Sequence, residues 1–441
     1  MSYPESAPNS RALYAEAQKY MPGGNTRTTV YIKPFPLYAA HGSGCRVWDV
    51  DGQERIDCIN NFTSQIHGYC NPAINDAVTR QLSLGTCFGM PTASEIELAK
   101  LLVERIPSID SVRFTNSGTE AVMMALKAAR AFTGRPKIAK VEGAYHGSYD
   151  YAEMSLDPAP RNWGDSEPRS IPYAKGTPRS VSDDVIVIPF NQPEEATRIL
   201  QQHGHDLAAV LVDPMPNRAG LVPATQEYIG ALRKAASDVG ALLIFDEVIS
   251  YRLGYNGAQP LWNVQADLTV LGKVIGGGFP VGAVGGRAAV MAVFDPTAGK
   301  PALPHGGTFS ANPITMVAGR AAVEQLDHAA YDRLAQMGDT VRSETNQSFR
   351  RHGIAGQAVG MGSLLKVHFT GNPIRDYRSV YPSEREAAML NTFHMALLNR
   401  GILVASYGLM ALSTPMTDAD VHAISAAIDD AIAEVKRLHA G

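Results

Sequence analysis

The sequence predicts an α/β fold in which a mostly parallel sheet carries helices on both faces. Short apolar runs that are typical of buried strands alternate with helical patterns from residue 110 to residue 290. Polar side chains follow several of these runs directly. Because open α/β sheets bind their ligands at the carboxyl ends of their strands, we expect the functional site at that edge of the sheet.

The stretch DLTVLGKVIGGGFPVGAVGGR, residues 267–287, joins a buried strand to a glycine-rich turn. Its apolar run 268–271 is typical of the strand, and Lys273 follows almost at once. Burial and nearby positive charge lower the pKa of an amine in such a place, so that the free amine can attack a carbonyl group. The alternative is a lysine at a strand end with its ammonium group in water, and the residues around it decide between the two.

A second apolar run, ALLIFDEVIS at residues 241–250, ends in Asp246 and Glu247. A carboxylate at the carboxyl end of a buried strand lies where α/β sheets bind ligands. An Asp is the usual partner of the pyridinium nitrogen of pyridoxal phosphate, which it keeps protonated so that the ring accepts electrons. The sequence therefore predicts this role for Asp246.

Composition excludes several classes of protein. The 441 residues are 45% hydrophobic and 19% charged, which is typical of a globular chain with more than one core. The net charge of −4 and the pI near 6.3 indicate neither nucleic acid nor an anionic membrane as a partner. No apolar run approaches the roughly 18 residues that cross a bilayer, and no secretion signal begins the chain. The cysteines have no metal-ligand spacing and predict reduced thiols in a cytoplasmic protein; they are Cys45, Cys58, Cys70 and Cys87.

The first part of the chain predicts the start of a minor domain, which the carboxyl terminus completes. Residues 10–20 have the pattern of a short amphipathic helix, and a loop with Arg27 follows. Arg27 is a candidate for function, with a solvated surface arginine as the alternative. Residues 38–57 are typical of a β-meander with a turn at Asp51 and Gly52.

A phosphate site is predicted in the sequence FTNSGTEA. A strand at 112–114 leads into Ser117, Gly118 and Thr119, and a helix extends from there to about residue 132. Free backbone N–H groups at a helix start bind phosphate, and hydroxyl groups add donors. Ser and Thr are also ordinary helix caps, and on this segment alone capping is the better interpretation.

Three further loops follow predicted elements of the series. Tyr145 and His146 come after a strand at 137–140, where they could lie against a planar ring or belong to the core. The proline-rich stretch 154–184 has no clear secondary structure and is typical of a lid. Thr308, in HGGTFSANP, offers a hydroxyl group to a phosphate.

The remaining elements complete two domains. Strands are predicted at 185–189, 208–212, 361–368 and 401–406, and helices at 225–239 and 418–439. The change of character after the alanine-rich helix predicts a boundary near residue 325. The expected ranges are 1–65 and 326–441 for a small domain and 66–325 for a large domain.

Together, these motifs resemble the class III aminotransferases, pyridoxal-phosphate enzymes of fold type I that include glutamate-1-semialdehyde 2,1-aminomutase and the β-amino acid aminotransferases. The resemblance covers most of the chain, through MPGGN, WDVDG, FTNSGTEA, EGAYHG, FDEV, LTVLGKVIGGGFPVGAVGGR and GTFSANP. It implies a large α/β domain that binds the cofactor and a small α+β domain made from both termini. It also implies a homodimer with its active sites at the subunit interface.

The resemblance implies a role for each matching residue. Lys273 would form a Schiff base with pyridoxal 5'-phosphate and move a proton between the substrate carbon and the cofactor. Asp246 would bind the ring nitrogen, Val248 and Tyr145 would pack on opposite faces of the ring, and His146 would join this cofactor-binding set. The phosphate would be held by Ser117, Gly118, Thr119 and, from the neighbouring subunit, Thr308.

The segments expected near the substrate resemble two different groups of enzymes within the family. GGNTRTTVYIKPFPL and DEVISYRL resemble the β-phenylalanine aminotransferases, whereas CFGMPTASEIELA is more similar to the mutases. Arg27 would grip a substrate carboxylate bidentately, and Arg218 is a second candidate in a loop that is usually neutral. Just before it, Asp213 and Pro214 stand where the family commonly has a Glu-Pro pair.

We therefore expect an aminotransferase that moves an amino group from a β-amino acid, or a related amine donor, to a keto acid by way of pyridoxamine phosphate. Glutamate-1-semialdehyde 2,1-aminomutase is the alternative, and a pyridoxal-phosphate-binding protein without turnover is a third reading. A dehydrogenase is disfavoured, because GGGFPVGAVGG does not open a helix after a first strand.

Overall fold

The structure is a computed structural model that describes residues 2–439. The chain forms two compact units. One comprises the chain up to Asn71, Arg333–Gly371 and the chain from Pro382 onward, and the other comprises Pro72–Asp332 and Asn372–Tyr381. The domain ranges predicted from the sequence stay a prediction.

The secondary structure alternates between strands and helices through most of the chain. The strands are β1 (Ala39–Ser43), β2 (Arg46–Asp49), β3 (Glu54–Asp57), β4 (Ser111–Thr115), β5 (Lys137–Val141), β6 (Val185–Ile188), β7 (Leu207–Val212), β8 (Leu242–Asp246), β9 (Leu268–Gly272), β10 (Gly282–Gly286), β11 (Gln357–Val359), β12 (Leu364–His368), β13 (Ile402–Leu403) and β14 (Leu409–Ala411). The helices are α1 (Pro8–Ala17), α2 (Asn60–Thr63), α3 (Pro72–Leu82), α4 (Ala93–Arg105), α5 (Gly118–Thr133), α6 (Asp150–Glu153), α7 (Arg179–Asp184), α8 (Pro193–Gln202), α9 (Gln226–Val239), α10 (Ala288–Met291), α11 (Pro313–Glu324), α12 (His328–His352), α13 (Glu384–Asn399) and α14 (Asp418–His439).

The larger unit contains a seven-stranded sheet in the order β4-β10-β9-β8-β7-β5-β6. Neighbours from β9 to β6 pair in parallel, and β10 runs antiparallel to β4 and β9. Every residue of β7, β8 and β9 is buried, which explains their continuous apolar runs. The predicted α/β class with a mostly parallel sheet is confirmed.

Strand β10 is the main element of this sheet that the sequence does not predict. Its residues are GAVGG, and glycine is depleted in strands, so the pattern indicates a turn instead. A Cβ at Gly282 would overlap the carbonyl oxygen of Ser117, and a Cβ at Gly286 would overlap that of Asp267. The glycines therefore let β10 lie close to neighbouring backbone, at the cost of a recognisable strand signal.

The smaller unit has two sheets. β1, β2 and β3 form the predicted antiparallel meander, with Gly52 in a left-handed conformation in its second turn, and β13 pairs in parallel with β3. β11, β12 and β14 form the other sheet. The strand predicted at 401–406 is only two residues long, because the chain turns after Leu403. The last predicted helix, 418–439, is α14.

Several expected features can be checked over residues 2–439. Within that range no helix combines the length and the apolar composition needed to span a bilayer. All four cysteines are free thiols. Helix α7 lies in the stretch 154–184, where no secondary structure is predicted, and it is a short polar helix without a strong apolar period.

Candidate active site

Lys273 lies directly after β9, where it begins a single 3-10 turn. Its φ angle is 49°, a left-handed conformation that residues with a Cβ seldom adopt and that is concentrated at functional sites. The side chain is partly buried. Burial lowers the pKa of its amine, although attraction to Asp246 and Asp213 opposes that effect. The amine is therefore neutral more often than that of an ordinary lysine.

Asp246, the last residue of β8, is 4% exposed and is held by two donors. The backbone N–H of Val248 donates to Oδ1 at 3.0 Å, and Nδ1 of His146 lies 2.7 Å from Oδ2. Burial lowers the pKa of His146, so its imidazole is neutral and its Nδ1–H donates to the carboxylate. The other ring nitrogen, Nε2, is buried and has no hydrogen-bond partner among residues 2–439. That nitrogen is available to a bound molecule.

A second carboxylate, Asp213, belongs to this cluster and is 4% exposed. Burial and repulsion from Asp246 raise its pKa to about 8, although the backbone N–H of Met215 donates to Oδ1 at 2.9 Å. The sequence identifies Asp213 only as a departure from the family pattern. The signal was nevertheless present, because β7 pairs in parallel with β8, so residues that end these two strands meet at one edge.

The start of α5 has the geometry of an anion site. Ser117 is its N-cap and accepts a hydrogen bond from the N–H of Glu120 at 3.1 Å, so the capping interpretation is confirmed for Ser117. Thr119 Oγ1 accepts from the N–H of Ser148 at 3.2 Å. Because both hydroxyl oxygens act as acceptors, their hydrogens remain free to donate. The N–H groups of Gly118 and Thr119 belong to the first turn, which has no partners for its donors within the helix.

Val248 connects the lysine to this helix start. A Cβ at Gly118 would lie 3.2 Å from Cγ2 of Val248, and a Cβ at Gly272 would lie 3.4 Å from Cγ1. The Val248 side chain therefore lies between the first turn of α5 and the residue before Lys273. Tyr145, next in sequence to His146, is 47% exposed.

These residues fit pyridoxal 5'-phosphate. An amine with a lowered pKa matches its aldehyde, and a helix start with free N–H and O–H donors matches its phosphate. The buried Asp246 matches a protonated ring nitrogen, and the unpartnered Nε2 of His146 offers one more polar contact. Within residues 2–439, no cluster of His, Cys, Asp and Glu side chains is suited to a metal ion.

Two predicted residues of the larger unit lie outside this cluster of contacts. Arg218 forms an ion pair with Asp157, with 2.9 Å between Nη2 and Oδ1. Thr308 is exposed on the turn before α11, next to Gly307, where a Cβ would lie 3.8 Å from Nδ2 of Asn116. Their roles stay predictions.

Arg27 belongs to the smaller unit, where it lines a cavity of about 510 Å³. Its Nη1 donates to Oδ1 of Asn61 at 2.7 Å, and its guanidinium carbon lies 5.8 Å from the centre of the Phe62 ring. Asn61 and Phe62 belong to α2, a single turn whose residues all have positive φ angles between 45° and 76°. The apolar part of the cavity lining includes Val30, Ile32, Leu37, Leu398 and Leu403.

A family model described as Aminotransferase class-III matches residues 29–432. The chain belongs to the class III aminotransferases. It is 39% identical to the beta-phenylalanine transaminase of Variovorax paradoxus, over 97% of this chain and 93% of that protein. It is 35% identical to glutamate-1-semialdehyde 2,1-aminomutase 2 of Geobacillus kaustophilus, over 97% of this chain and 98% of that protein.

Solved structures agree with this assignment. An omega-transaminase from Sphaerobacter thermophilus superposes with a TM-score of 0.95 and 50% identity, over 98% of this chain and 99% of that one. Membership of the class III aminotransferases confirms the predicted enzyme class, the fold type I architecture and the pyridoxal phosphate cofactor.

Proposed function

We propose that this class III aminotransferase takes a β-amino acid, or a related amine with a carboxylate, as its amino donor and a keto acid as its acceptor. The observation that carries this proposal is Arg27, an exposed arginine that lines a cavity with both apolar and polar side chains. The 39% identity to the beta-phenylalanine transaminase of Variovorax paradoxus supports it, because the donor of that enzyme has both an aromatic ring and a carboxylate.

Lys273 is the proposed proton carrier. Pyridoxal phosphate held by these residues would supply an electron sink for the donor carbon. Because burial lowers the pKa of Lys273, its Nζ can accept a proton from that carbon and return it. The left-handed backbone at Lys273 fixes the direction from which the side chain acts.

The two neighbouring carboxylates have different proposed charges. Asp246 is fixed by His146 and by the N–H of Val248, and it would keep the ring nitrogen protonated. Asp213, whose pKa is raised to about 8, holds a proton near neutral pH in the protein without cofactor.

The start of α5 is the proposed phosphate site. Gly118 and Thr119 supply backbone N–H groups, and the hydroxyls of Ser117 and Thr119 have a hydrogen to donate. Val248 would pack on one face of the ring and the exposed Tyr145 on the other. Thr308 would contribute its hydroxyl to the phosphate of a neighbouring subunit.

Arg27 is the proposed carboxylate-binding residue. A guanidinium can bind a carboxylate through two parallel hydrogen bonds, and only one Arg27 nitrogen is used by Asn61. The guanidinium lies over the face of the Phe62 ring, at the distance of a cation–π contact. Four successive left-handed residues in α2 cost backbone energy, and such strain is concentrated at functional sites. Arg218 is the weaker candidate, since it would have to leave Asp157.

A homodimer is the proposed assembly. The larger unit exposes a group of large apolar side chains, Leu82, Leu84, Phe88, Met90, Ile96 and Phe309. The side chain of Asn312 donates to the carbonyl oxygen of Thr86 at 2.8 Å, which joins the two loops that carry most of these residues. Apolar patches of this kind mark protein interfaces, and a second copy of the chain is the partner that the role proposed for Thr308 requires. Sedimentation analysis of wild type and Met90→Asp would test this, because the variant should shift towards monomer.

The glutamate-1-semialdehyde aminomutase activity is the second candidate, and a specific observation supports it. The Geobacillus kaustophilus aminomutase is 35% identical over nearly its whole length, which is close to the value for the transaminase. A mutase returns the amino group to the molecule that supplied it, so it needs no separate keto acid. That difference can be measured directly.

The deciding experiment is a single half reaction. The yellow holoenzyme is mixed with β-phenylalanine without a keto acid, and visible absorbance and product are followed. We expect one equivalent of β-keto acid per site and loss of the yellow band. α-Phenylalanine, which has the same atoms with the carboxylate one carbon closer to the nitrogen, is the matched control. A response to glutamate-1-semialdehyde alone would establish the mutase, and no response to any β-amino acid would overturn the proposal.

A further inference from the structure

A short segment from the second half of the chain packs within the larger unit. Residues 372–381 belong to that unit, although the chain before and after them belongs to the smaller one. Ser379 fixes the shape of this segment, because its N–H donates to Asp376 Oδ1 at 2.8 Å and its hydroxyl accepts from the N–H of Asp376 at 3.0 Å. These two hydrogen bonds fix the backbone that carries Tyr377 and Arg378.

Arg378 uses its whole guanidinium group in hydrogen bonds. Nε donates to Oε2 of Glu142 at 2.7 Å and Nη2 donates to Oε1 at 3.0 Å, a bidentate pair in which the Glu142 side chain is only 3% exposed. The remaining donors bind the carbonyl oxygens of Trp163, Gly164 and Asp165. The guanidinium carbon also lies 5.1 Å from the Trp163 ring centre.

Tyr377 contacts Gly143, the residue that follows Glu142 in the chain. A Cβ at Gly143 would overlap the Tyr377 ring, and the φ angle of Gly143 is 73°, so ring and backbone are in direct contact. The Tyr377 hydroxyl lies 2.8 Å from the carbonyl oxygen of Pro158 and 3.0 Å from Oδ1 of Asp157. Tyr377 and Arg378 therefore contact the stretch after Met154 at several points, and the lid role of that stretch stays a prediction.

The other end of this turn contacts the proposed cofactor site. His146 donates to Asp246, and a Cβ at Gly147 would overlap Thr119, so Gly147 lies directly against the predicted phosphate loop. Residues 142–147 are a short connection after β5. Its position is thus fixed by Glu142 at one end and by His146 and Gly147 at the other.

We propose that Arg378, through its pair with Glu142, is a positioning residue for cofactor binding. The pair fixes the turn 142–147 and so sets where Tyr145 and His146 stand. This inference rests on the proposed function, in which those two residues contact pyridoxal phosphate. A lysine could not replace Arg378, because an ammonium group cannot bind both carboxylate oxygens and the carbonyl groups in one plane.

The test uses the double variant Glu142→Gln with Arg378→Gln, which removes both charges and leaves no unpaired carboxylate in the interior. The readouts are the dissociation constant of pyridoxal phosphate for the apoenzyme and the induced circular dichroism of the bound cofactor. Outer contacts of a metal site change affinity by about 10- to 100-fold, and we expect about tenfold weaker cofactor binding here. The circular dichroism band should weaken, because it reports the asymmetry of the contacts around the ring.

Two further variants separate positioning from general stability. Arg233→Gln breaks an ion pair with the buried Asp267 at the opposite end of β9, where Arg233 is 25% exposed against 24% for Arg378. It should lower the melting temperature without changing cofactor affinity. Tyr377→Phe keeps the ring against Gly143 and removes only the hydroxyl contacts, so we expect about threefold weaker binding from that loss.

The outcomes distinguish this inference from the proposed function. A wild-type chain that binds no pyridoxal phosphate would overturn both. An active wild type together with a folded double variant of unchanged cofactor affinity would overturn the inference alone. If the double variant does not fold, the Tyr377→Phe variant decides: unchanged affinity and an unchanged circular dichroism band would count against positioning from this segment.

Discussion

The two regions that carry the proposed chemistry are built in different ways. Lys273, Asp246 and Asp213 lie at the ends of buried strands, where burial lowers the pKa of Lys273 and raises the pKa of Asp213. Arg27 is exposed in a loop of the smaller unit, and its contacts are one hydrogen bond to Asn61 and a ring face.

In the proposed function, this difference separates the residues of the proton chemistry from the residue that selects the substrate. A carboxylate at a strand end cannot move without disturbing the sheet, so the proton chemistry is fixed by the core. An arginine in a loop can change its direction or its identity at little cost to folding. The similarity of the chain to both a transaminase and an aminomutase agrees with a constant reaction centre and a variable substrate region.

Removal of Lys273 should have the largest effect. Lys273→Ala takes away the amine that carries the proton, and we expect turnover to fall by at least about 10³-fold while cofactor binding remains measurable. The assays are steady-state turnover with β-phenylalanine and equilibrium dialysis of the cofactor. Normal turnover in this variant would contradict the whole assignment.

Lys140 provides an internal control for that prediction. It is also buried, with a pKa lowered to about 7 by burial, but its Nζ donates to the carbonyl oxygens of Val141 and Met154 at 3.1 and 2.7 Å. We therefore expect borohydride reduction of the holoenzyme, followed by peptide mapping, to find the cofactor attached to Lys273 alone. Attachment at Lys140 would show that a low pKa, rather than position at the strand end, selects the lysine.

Removal of Arg27 should have a smaller and more selective effect. A hydrogen bond to a charged group contributes about 1.5–3 kcal/mol, so Arg27→Ala should raise KM for β-phenylalanine by about 10- to 100-fold. An amine without a carboxylate should be unaffected, and kcat should change little. Arg11→Ala is the matched control, because Arg11 is also exposed in the smaller unit and lies 5.3 Å from the Phe35 ring centre, outside the cavity lining. An equal loss with both amines would remove Arg27 from the substrate site.

The sequence is informative where local pattern and position agree. Alternating apolar runs predict the sheet, and the polar residues that end them predict the cluster around Lys273 and Asp246. The N-cap at Ser117 is equally local, since it depends on residues within one turn. These features need no knowledge of distant contacts.

The sequence does not predict the structural features that depend on long-range packing. Strand β10 is rich in glycine because other backbone lies close to it, so its strand signal is lost. Residues 372–381 have no periodic pattern, and their place depends on Glu142 and Gly143, more than 200 positions away in the chain. In the left-handed turn α2, Asn60 and Asn61 are of a type that adopts positive φ angles more often than most residues, but Phe62 and Thr63 are not, so composition does not predict four such residues in succession.

The smallest expected effect concerns Asp213, and it tests whether burial sets protonation at the strand ends. The pKa of Asp213 is raised to about 8, so the folded apoenzyme keeps a proton that the unfolded chain releases near pH 4. The contribution of Asp213 to stability is therefore present at low pH and is lost as pH rises from about 4 to about 8. Asp213→Asn should make the apoenzyme more stable above pH 8, with no difference near pH 4.

Asp267, a buried carboxylate whose pKa is lowered rather than raised, provides the control. Asp267 is also buried, but the N–H of Leu243 and the guanidinium groups of Arg233 and Arg287 outweigh burial and lower its pKa. Its contribution is present above the usual Asp pKa and is lost as pH falls below it, so Asp267→Asn should destabilise the apoenzyme at neutral pH. Chemical denaturation between pH 4 and 9 measures both variants. Parallel pH profiles for wild type and Asp213→Asn would mean that burial does not raise the pKa of Asp213, and the proposed protonation of this carboxyl group near neutral pH would be wrong.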